Sequence, residues 1–134
     1  MASSPTGPGG PPVGSSNLGV APNLGGLLCY APCCIGLVFS VVVAVVEKQS
    51  RFLRFHAFQS LLVHGAALVV LLAVQVLGMI LSTISGVLGF LISLMSGLVG
   101  LGILGLTIFL MIKAYNNEEY ELPQLGQMAR GWAS

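Results

Sequence analysis

Charged side chains are scarce in this chain: they make up 7% of its 134 residues, whereas hydrophobic residues make up 55%. An average soluble domain carries about 25% charged residues, which supply most of its contact with water. This chain has too few charged residues to form a polar surface, so its composition excludes a water-soluble globular fold. Its length allows one domain at most.

Other shortages exclude classes of function. The net charge is only +1, so no basic field argues for a nucleic-acid partner. The acidic residues are confined to Glu47 and to a cluster at 118–121, and no nucleophile–base pair or phosphate-binding loop is present. The sequence therefore predicts neither catalysis nor a cofactor.

The three cysteines lie within six residues, at 29, 33 and 34. An odd number of cysteines in an apolar run argues against a disulfide framework. Cys29 and Cys33 share a helical face, but the histidines belong to the other end of the predicted bundle, ~30 Å away. We therefore expect small-residue packing rather than a metal site.

What the chain does contain is three long apolar runs, at about 24–46, 61–82 and 87–112. At 1.5 Å per residue, each run can cover the ~30 Å hydrocarbon core of a bilayer. Residues 1–23 are rich in Gly, Pro and Ser, which predicts a disordered tail. The sequence thus predicts an all-α integral membrane protein with three transmembrane helices, a loop at 47–60 and a tail at 113–134.

The tail carries an amphipathic pattern. Leu125, Met128, Ala129 and Trp132 fall at i, i+3, i+4 and i+7. This spacing predicts a short interfacial helix with Trp132 at headgroup level. A frayed end is the alternative.

The basic residues predict the orientation. With three spans, all five lie on the side of the loop and the C-terminal tail: Lys48, Arg51, Arg54, Lys113 and Arg130. The positive-inside rule then makes that side cytoplasmic and places the N-terminus outside the cell (inner) membrane. Three of these residues, Lys48, Arg51 and Arg54, are also candidate contacts for anionic lipid headgroups.

A polar stripe follows the second apolar run. Its polar members recur at near-helical spacing and are His56, Ser60, His64, Gln75 and Ser82. Unpaired polar groups do not face lipid tails, so this stripe should point into a bundle. His64 is a functional candidate because of its depth in the span, and the alternative is a neutral histidine that is hydrogen-bonded to Ser60, to a backbone carbonyl or to another helix. Three helices hardly bury the stripe, so the sequence predicts an oligomer.

Around the start of this stripe the chain resembles a family of small bacterial and archaeal membrane proteins, classed as a domain of unknown function. The resemblance rests on the motif Phe-x-Arg-Phe-His-Ala-x-Gln-Ser, which is matched here by Phe52, Arg54, Phe55, His56, Ala57, Gln59 and Ser60. An opening segment, Leu28-Cys29-Tyr30 with Pro32, is similar. So is a closing segment that contains Tyr115, Tyr120, Leu122, Pro123 and Gly126.

The resemblance implies a membrane location and a helical fold over residues 24–130. The family is distantly linked to the membrane component of the chloroplast protein-import machinery, which implies a translocation role. We therefore expect a non-enzymatic assembly, translocation or scaffold subunit, with the lipid bilayer and copies of itself or other membrane proteins as partners. The alternative is a small channel or proton-coupled transporter that uses the polar stripe.

Overall fold

A computed structural model describes residues 16, 18–32 and 34–133; most of the predicted disordered tail, and Cys33, lie outside them. The described chain forms five helices and no strand, which confirms the all-α prediction. They are α1 (Pro22–Cys29), α2 (Cys34–Val46), α3 (Arg51–Ile84), α4 (Gly86–Tyr115) and α5 (Leu125–Ala133). The chain divides into two compact units: unit 1 holds the described residues up to Val63 and from Thr107 onward, and unit 2 is His64–Leu106.

Two helices in the described part of the chain, α3 and α4, are long and apolar enough to cross a membrane. They contain the predicted spans 61–82 and 87–112. Helix α4 is unbroken despite its glycines. The predicted turn at 83–86 is reduced to Ser85, which alone lies between the two helices.

The predicted first span, 24–46, is not one helix. The helical structure stops at Cys29 and resumes at Cys34, on either side of Pro32. Proline has no N–H to donate and disfavours helical geometry in the residue before it, so it ends the first helix here instead of kinking it. At 8 and 13 residues, α1 and α2 extend only ~12 and ~20 Å, less than the ~30 Å core.

Helices α1 and α2 instead double back on each other within unit 1. The Ser40 hydroxyl donates to the Cys29 carbonyl at 3.0 Å, and Ser16, ahead of α1, donates to the carboxylate of Glu47, just after α2. The two ends of the apolar run therefore lie together. Gly36 allows this turn, because it lies against the backbone of Ala31.

The predicted loop 47–60 is also mostly helical, because α3 begins at Arg51. Ser50 is the N-cap, since its hydroxyl accepts the Leu53 N–H at 3.1 Å. The buried Glu47 carboxylate accepts the N–H groups of Gln49 and Ser50 at 2.8 and 3.0 Å. A buried carboxylate thus orders the remaining four-residue loop.

Unit 2 is a helical hairpin with one buried seam. The half-buried and buried positions recur every three or four residues: His64, Ala67, Leu71, Val74, Gly78 and Leu81 on α3, and Gly89, Ile92, Ser96, Val99, Ile103 and Leu106 on α4. This 3.5-residue period is typical of left-handed packing.

Glycine is required most strictly at position 36. A Cβ atom there would lie 2.2 Å from the Ala31 carbonyl oxygen, which is backbone and cannot rotate away. We expect Gly36→Ala to lower the free energy of unfolding by about 1–3 kcal/mol, in the range for overpacked sites. Denaturant titration in detergent, followed by circular dichroism, measures this loss.

Gly100→Ala is the matched control. The added methyl group meets nothing within 4 Å in the described part of the chain. Alanine is the better helix former by up to about 1 kcal/mol, so this variant should equal or exceed the wild type. Equal stability of the two variants would contradict the packing of α1 against α2.

Candidate functional site

The matched motif residues at the start of α3 form the core of unit 1. Phe52, Phe55, Ala57 and His56 are all buried. The His56 imidazole meets the rings of Phe52, Phe55 and Tyr30 edge-on, at centroid distances of 4.5, 5.1 and 5.6 Å. The motif therefore surrounds one polar ring with aromatic side chains.

Both ring nitrogens of His56 have partners. Nε2 lies 3.1 Å from the carbonyl oxygen of Glu118, and Nδ1 lies 3.2 Å from the Tyr30 hydroxyl. A carbonyl oxygen can only accept, so Nε2 carries the proton and donates it. Nδ1 then accepts from Tyr30, which fixes a neutral imidazole in a single tautomer.

Gln59 completes this arrangement. Its amide nitrogen donates to the Tyr30 hydroxyl and to the Tyr120 carbonyl, both at 2.9 Å, and its amide oxygen accepts the Leu122 N–H at 3.1 Å. His56 and Gln59 thus hold residues 118–122 by main-chain atoms alone. We call Tyr30, His56, Gln59 and the backbone of residues 118–122 the tail clamp.

One position before residues 118–122 and one after them shape the chain around the tail clamp. Helix α4 ends in a left-handed Asn117 (φ 62°), whose N–H donates to Ala114, while the Glu118 N–H donates to Lys113. These two bonds form a Schellman motif that turns the chain back. Gly126 then packs so closely that a Cβ atom would lie 2.7 Å from Gln59 Oε1.

The other closing-motif residues lie around this turn. The carbonyl of the exposed Tyr115 accepts a hydrogen bond from Asn23 Nδ2 at 3.3 Å. The Tyr120 ring meets Phe109 edge-on at 5.1 Å, Leu122 is half-buried, and Pro123 is exposed. The closing motif therefore serves the shape of the turn and its packing on unit 1.

The structure does not keep the polar stripe together as one surface. Ser60 lies in unit 1 and donates to the Cys29 carbonyl, the acceptor that Ser40 also uses. His64 is half-buried in unit 2, while Gln75 and Ser82 are exposed there. The stripe thus splits between the core of unit 1 and the surface of unit 2.

Gln75 and Ser82 line a cleft of ≈ 270 Å³ between α3 and α4, within unit 2. We call it the hairpin cleft, and its walls include Gln75, Met79, Ser82, Gly86, Phe90 and Ser93. The hydroxyls of Ser82 and Ser93 donate to carbonyls of their own helices, those of Met79 and Gly89. Gln75 has no hydrogen-bond partner among the described residues.

The candidate headgroup contacts lie around the start of α3. Lys48 and Arg51 are exposed. Arg54 lies 5.7 Å from the centre of the Phe58 ring, and its Nη2 is 3.5 Å from the Trp132 carbonyl at the end of α5. Arg54 therefore contacts α5.

The acidic cluster forms ion pairs that sequence reasoning missed. Arg130 pairs with Glu119 and Glu121 and lies 4.8 Å from the centre of the Phe55 ring, while Lys113 pairs with Glu118 at 3.1 Å. The hydrogen bond to Glu121 raises the pKa of Arg130.

Tyr30 and Glu47 were also missed as site residues. A tyrosine next to a proline break, and an acid just before a serine-capped helix, are the signals that could have found them. No group of three or more His, Cys, Asp or Glu side chains that could hold a metal ion occurs within residues 18–32 and 34–133.

Comparison with known proteins places this chain among small membrane proteins. Residues 15–129 match the profile of the MamF/MmsF family, described as the magnetosome magnetite crystal formation protein family. Two UPF0132 membrane proteins of Methanocaldococcus jannaschii are 34% and 35% identical, covering 90% and 84% of this chain and 96% and 70% of their own. A UPF0132 membrane protein of Archaeoglobus fulgidus is 28% identical over 80% of this chain and 90% of its own. No solved structure matches significantly.

The tail clamp depends on the Gln59 amide. Gln59→Leu leaves the part-buried Tyr120 carbonyl and Leu122 N–H, and the buried Tyr30 hydroxyl, without their partner. A polar group that loses its partner in a buried position costs about 1–3 kcal/mol, and less where water can reach it. We expect at least about 2 kcal/mol less stability and faster hydrogen exchange at the Leu122 amide. Denaturant titration and exchange mass spectrometry in detergent measure the two effects.

Gln127→Leu is the control, because it makes the same glutamine-to-leucine change at an exposed position of α5. It should leave both measurements near the wild type. Unchanged exchange at Leu122 in Gln59→Leu would show that the clamp does not hold the tail.

Proposed function

The chain belongs to the MamF/MmsF family of membrane proteins, and we propose that it is a non-enzymatic subunit that works by assembling with other polypeptides in the bilayer. The hairpin cleft carries this proposal. It sets polar side chains on the surface of a hairpin whose other exposed residues are mostly apolar. Lipid tails cannot satisfy such groups, whereas a neighbouring helix can.

The tail clamp supports a structural role for the matched motif. Both ring nitrogens of His56 form hydrogen bonds, and the Gln59 amide is hydrogen-bonded to main-chain atoms of Tyr120 and Leu122. Groups held in this way position a backbone segment rather than act on a substrate. We propose that they hold the C-terminal segment of unit 1 against α3.

We also propose a topology of two spans and one re-entrant hairpin. The pairs Ser16–Glu47 and Asn23–Tyr115 bring the start of the described chain beside the start of α3 and the end of α4. All five basic residues belong to unit 1, and residues 64–106 carry no Lys, Arg, Asp or Glu. By the positive-inside rule, unit 1 and both termini then face the cytoplasm, and α5 lies at that interface.

A channel or transporter is the second candidate. The hairpin cleft offers a polar wall at membrane depth, formed by Gln75, Ser82 and Ser93. In an assembly, such walls from several copies could line a path for a small polar solute. Transport by reconstituted vesicles that is lost in Gln75→Leu would favour this candidate.

Magnetite formation, from which the family takes its description, is left outside the proposal. The carboxylates of Glu118, Glu119 and Glu121 are occupied by ion pairs with Lys113 and Arg130. They do not form a free acidic array for a mineral surface. The three archaeal relatives are named only as membrane proteins, so the translocation role implied by the resemblance stays a prediction.

The topology predicts how epitope tags at the two termini respond to protease. Both tags should be digested in inside-out vesicles and protected in right-side-out vesicles, because both termini lie on the cytoplasmic side. An N-terminal tag digested only in right-side-out vesicles would instead restore the three-span arrangement, with the N-terminus outside.

Assembly is tested by chemical cross-linking in native membranes. Lys48 is exposed and Lys113 is half-buried, and an amine-reactive linker should convert the full-length protein into species larger than a monomer. Affinity purification with mass spectrometry then identifies what each species contains. A monomer alone, at a linker dose that captures a known membrane complex in the same sample, would overturn the proposal.

A further inference from the structure

We infer that the hairpin cleft binds a second copy of this chain, through paired Gln75 amides on a two-fold axis along the membrane normal. This inference rests on the proposed function, which requires a polypeptide partner. It names that partner and the surface it uses.

The depth of Gln75 is the first step. Gln75 lies nine residues before Ile84, the end of α3, so it lies ~14 Å from that end of the helix. This is near the middle of a ~30 Å hydrocarbon core. Its side chain is exposed and has no hydrogen-bond partner among the described residues, so in a lone hairpin its amide would face lipid tails.

The shape of the surface is the second step. Gly86 ends the cleft without a side chain, and Gly89 brings α4 close to Ser82, where an added Cβ atom would lie 2.6 Å from the serine Cβ. Met79 and Phe90 are large and exposed beside it. The surface is therefore both concave and flanked by apolar side chains, which suits the close approach of another helix.

Self-complementarity selects a second copy as the occupant. A primary amide carries a donor and an acceptor, so two glutamine side chains satisfy each other when they meet head to head. Copies inserted in the same orientation hold Gln75 at the same depth. A two-fold axis along the membrane normal then brings the two amides together with no further adjustment, which is the requirement for an isologous contact. An unrelated partner would need a polar group at a matching depth.

The hydroxyls of the cleft fit this arrangement. Ser82 and Ser93 are bonded to carbonyls of their own helices, so they need no outside donor or acceptor. They leave Gln75 as the group whose hydrogen bonds depend on the partner. Ser93 and Gly86 are small, so they leave room for the helix of the second copy.

Association of the full-length protein in liposomes tests the inference. Donor- and acceptor-labelled copies are mixed, and energy transfer is followed as the protein-to-lipid ratio falls. Gln75→Leu removes the amide at nearly constant volume and should weaken association by about threefold to thirtyfold, as interhelical hydrogen bonds in membranes do. Ser93→Leu fills the cleft and should weaken association as well.

Leu77→Ile is the matched control at the same depth, because Leu77 is exposed on the opposite flank of the α3 seam. It should associate like the wild type. Circular dichroism of every variant checks that the hairpin is folded, and Ser93→Leu should pass because Ser93 is exposed.

The outcomes separate this inference from the proposed function. Wild-type association that survives both Gln75→Leu and Ser93→Leu would overturn the paired-amide surface and leave assembly standing. A wild-type protein that stays monomeric at all ratios, yet cross-links to other proteins in native membranes, would also overturn it. No association in either setting would remove the proposed function as well.

Discussion

The hydrogen bonds between Tyr30, His56 and Gln59 determine how unit 1 is built. A buried imidazole and a buried amide need partners, and here the partners are Tyr30, directly after α1, and the backbone of residues 118–122. Burying polar groups without partners is costly, so these two side chains require both the first helix and the C-terminal segment to pack against α3. The turn at Asn117 and the close approach at Gly126 provide the geometry for that packing.

The helical class and the two long spans were readable from the sequence, because bilayer thickness and backbone satisfaction leave few choices for an apolar run. The break at Pro32 could not be predicted from the sequence. Length and hydropathy alone treat residues 24–46 as one span, and a proline near the start of a membrane helix is often tolerated. Tertiary contacts decide where the helix ends, because Gly36 and Ser40 form a surface on which the short α1 can fold back.

The candidate site, too, was predictable from the sequence only in part. The motif around His56 was recognisable, but its role was not, because its partners are main-chain atoms some 60 residues away. Local sequence patterns carry no information about such distant backbone contacts. The polar stripe was predicted with one helical period, but the helix that carries it passes through two different environments. His56 and Ser60 are buried in unit 1, whereas Gln75 lies on the open flank of the hairpin in unit 2.

The tail clamp also has a consequence for biosynthesis. It joins Tyr30, His56 and Gln59 to a segment that the ribosome delivers some 60 residues after the motif. Until residues 118–122 arrive, the imidazole and the amide lack their main-chain partners, although α3 can already be inserted. During that interval only the Tyr30 hydroxyl is available to both side chains, so the core of unit 1 is incomplete until α4 has been made. Unit 1 therefore completes its core only after the hairpin of unit 2 has been synthesised.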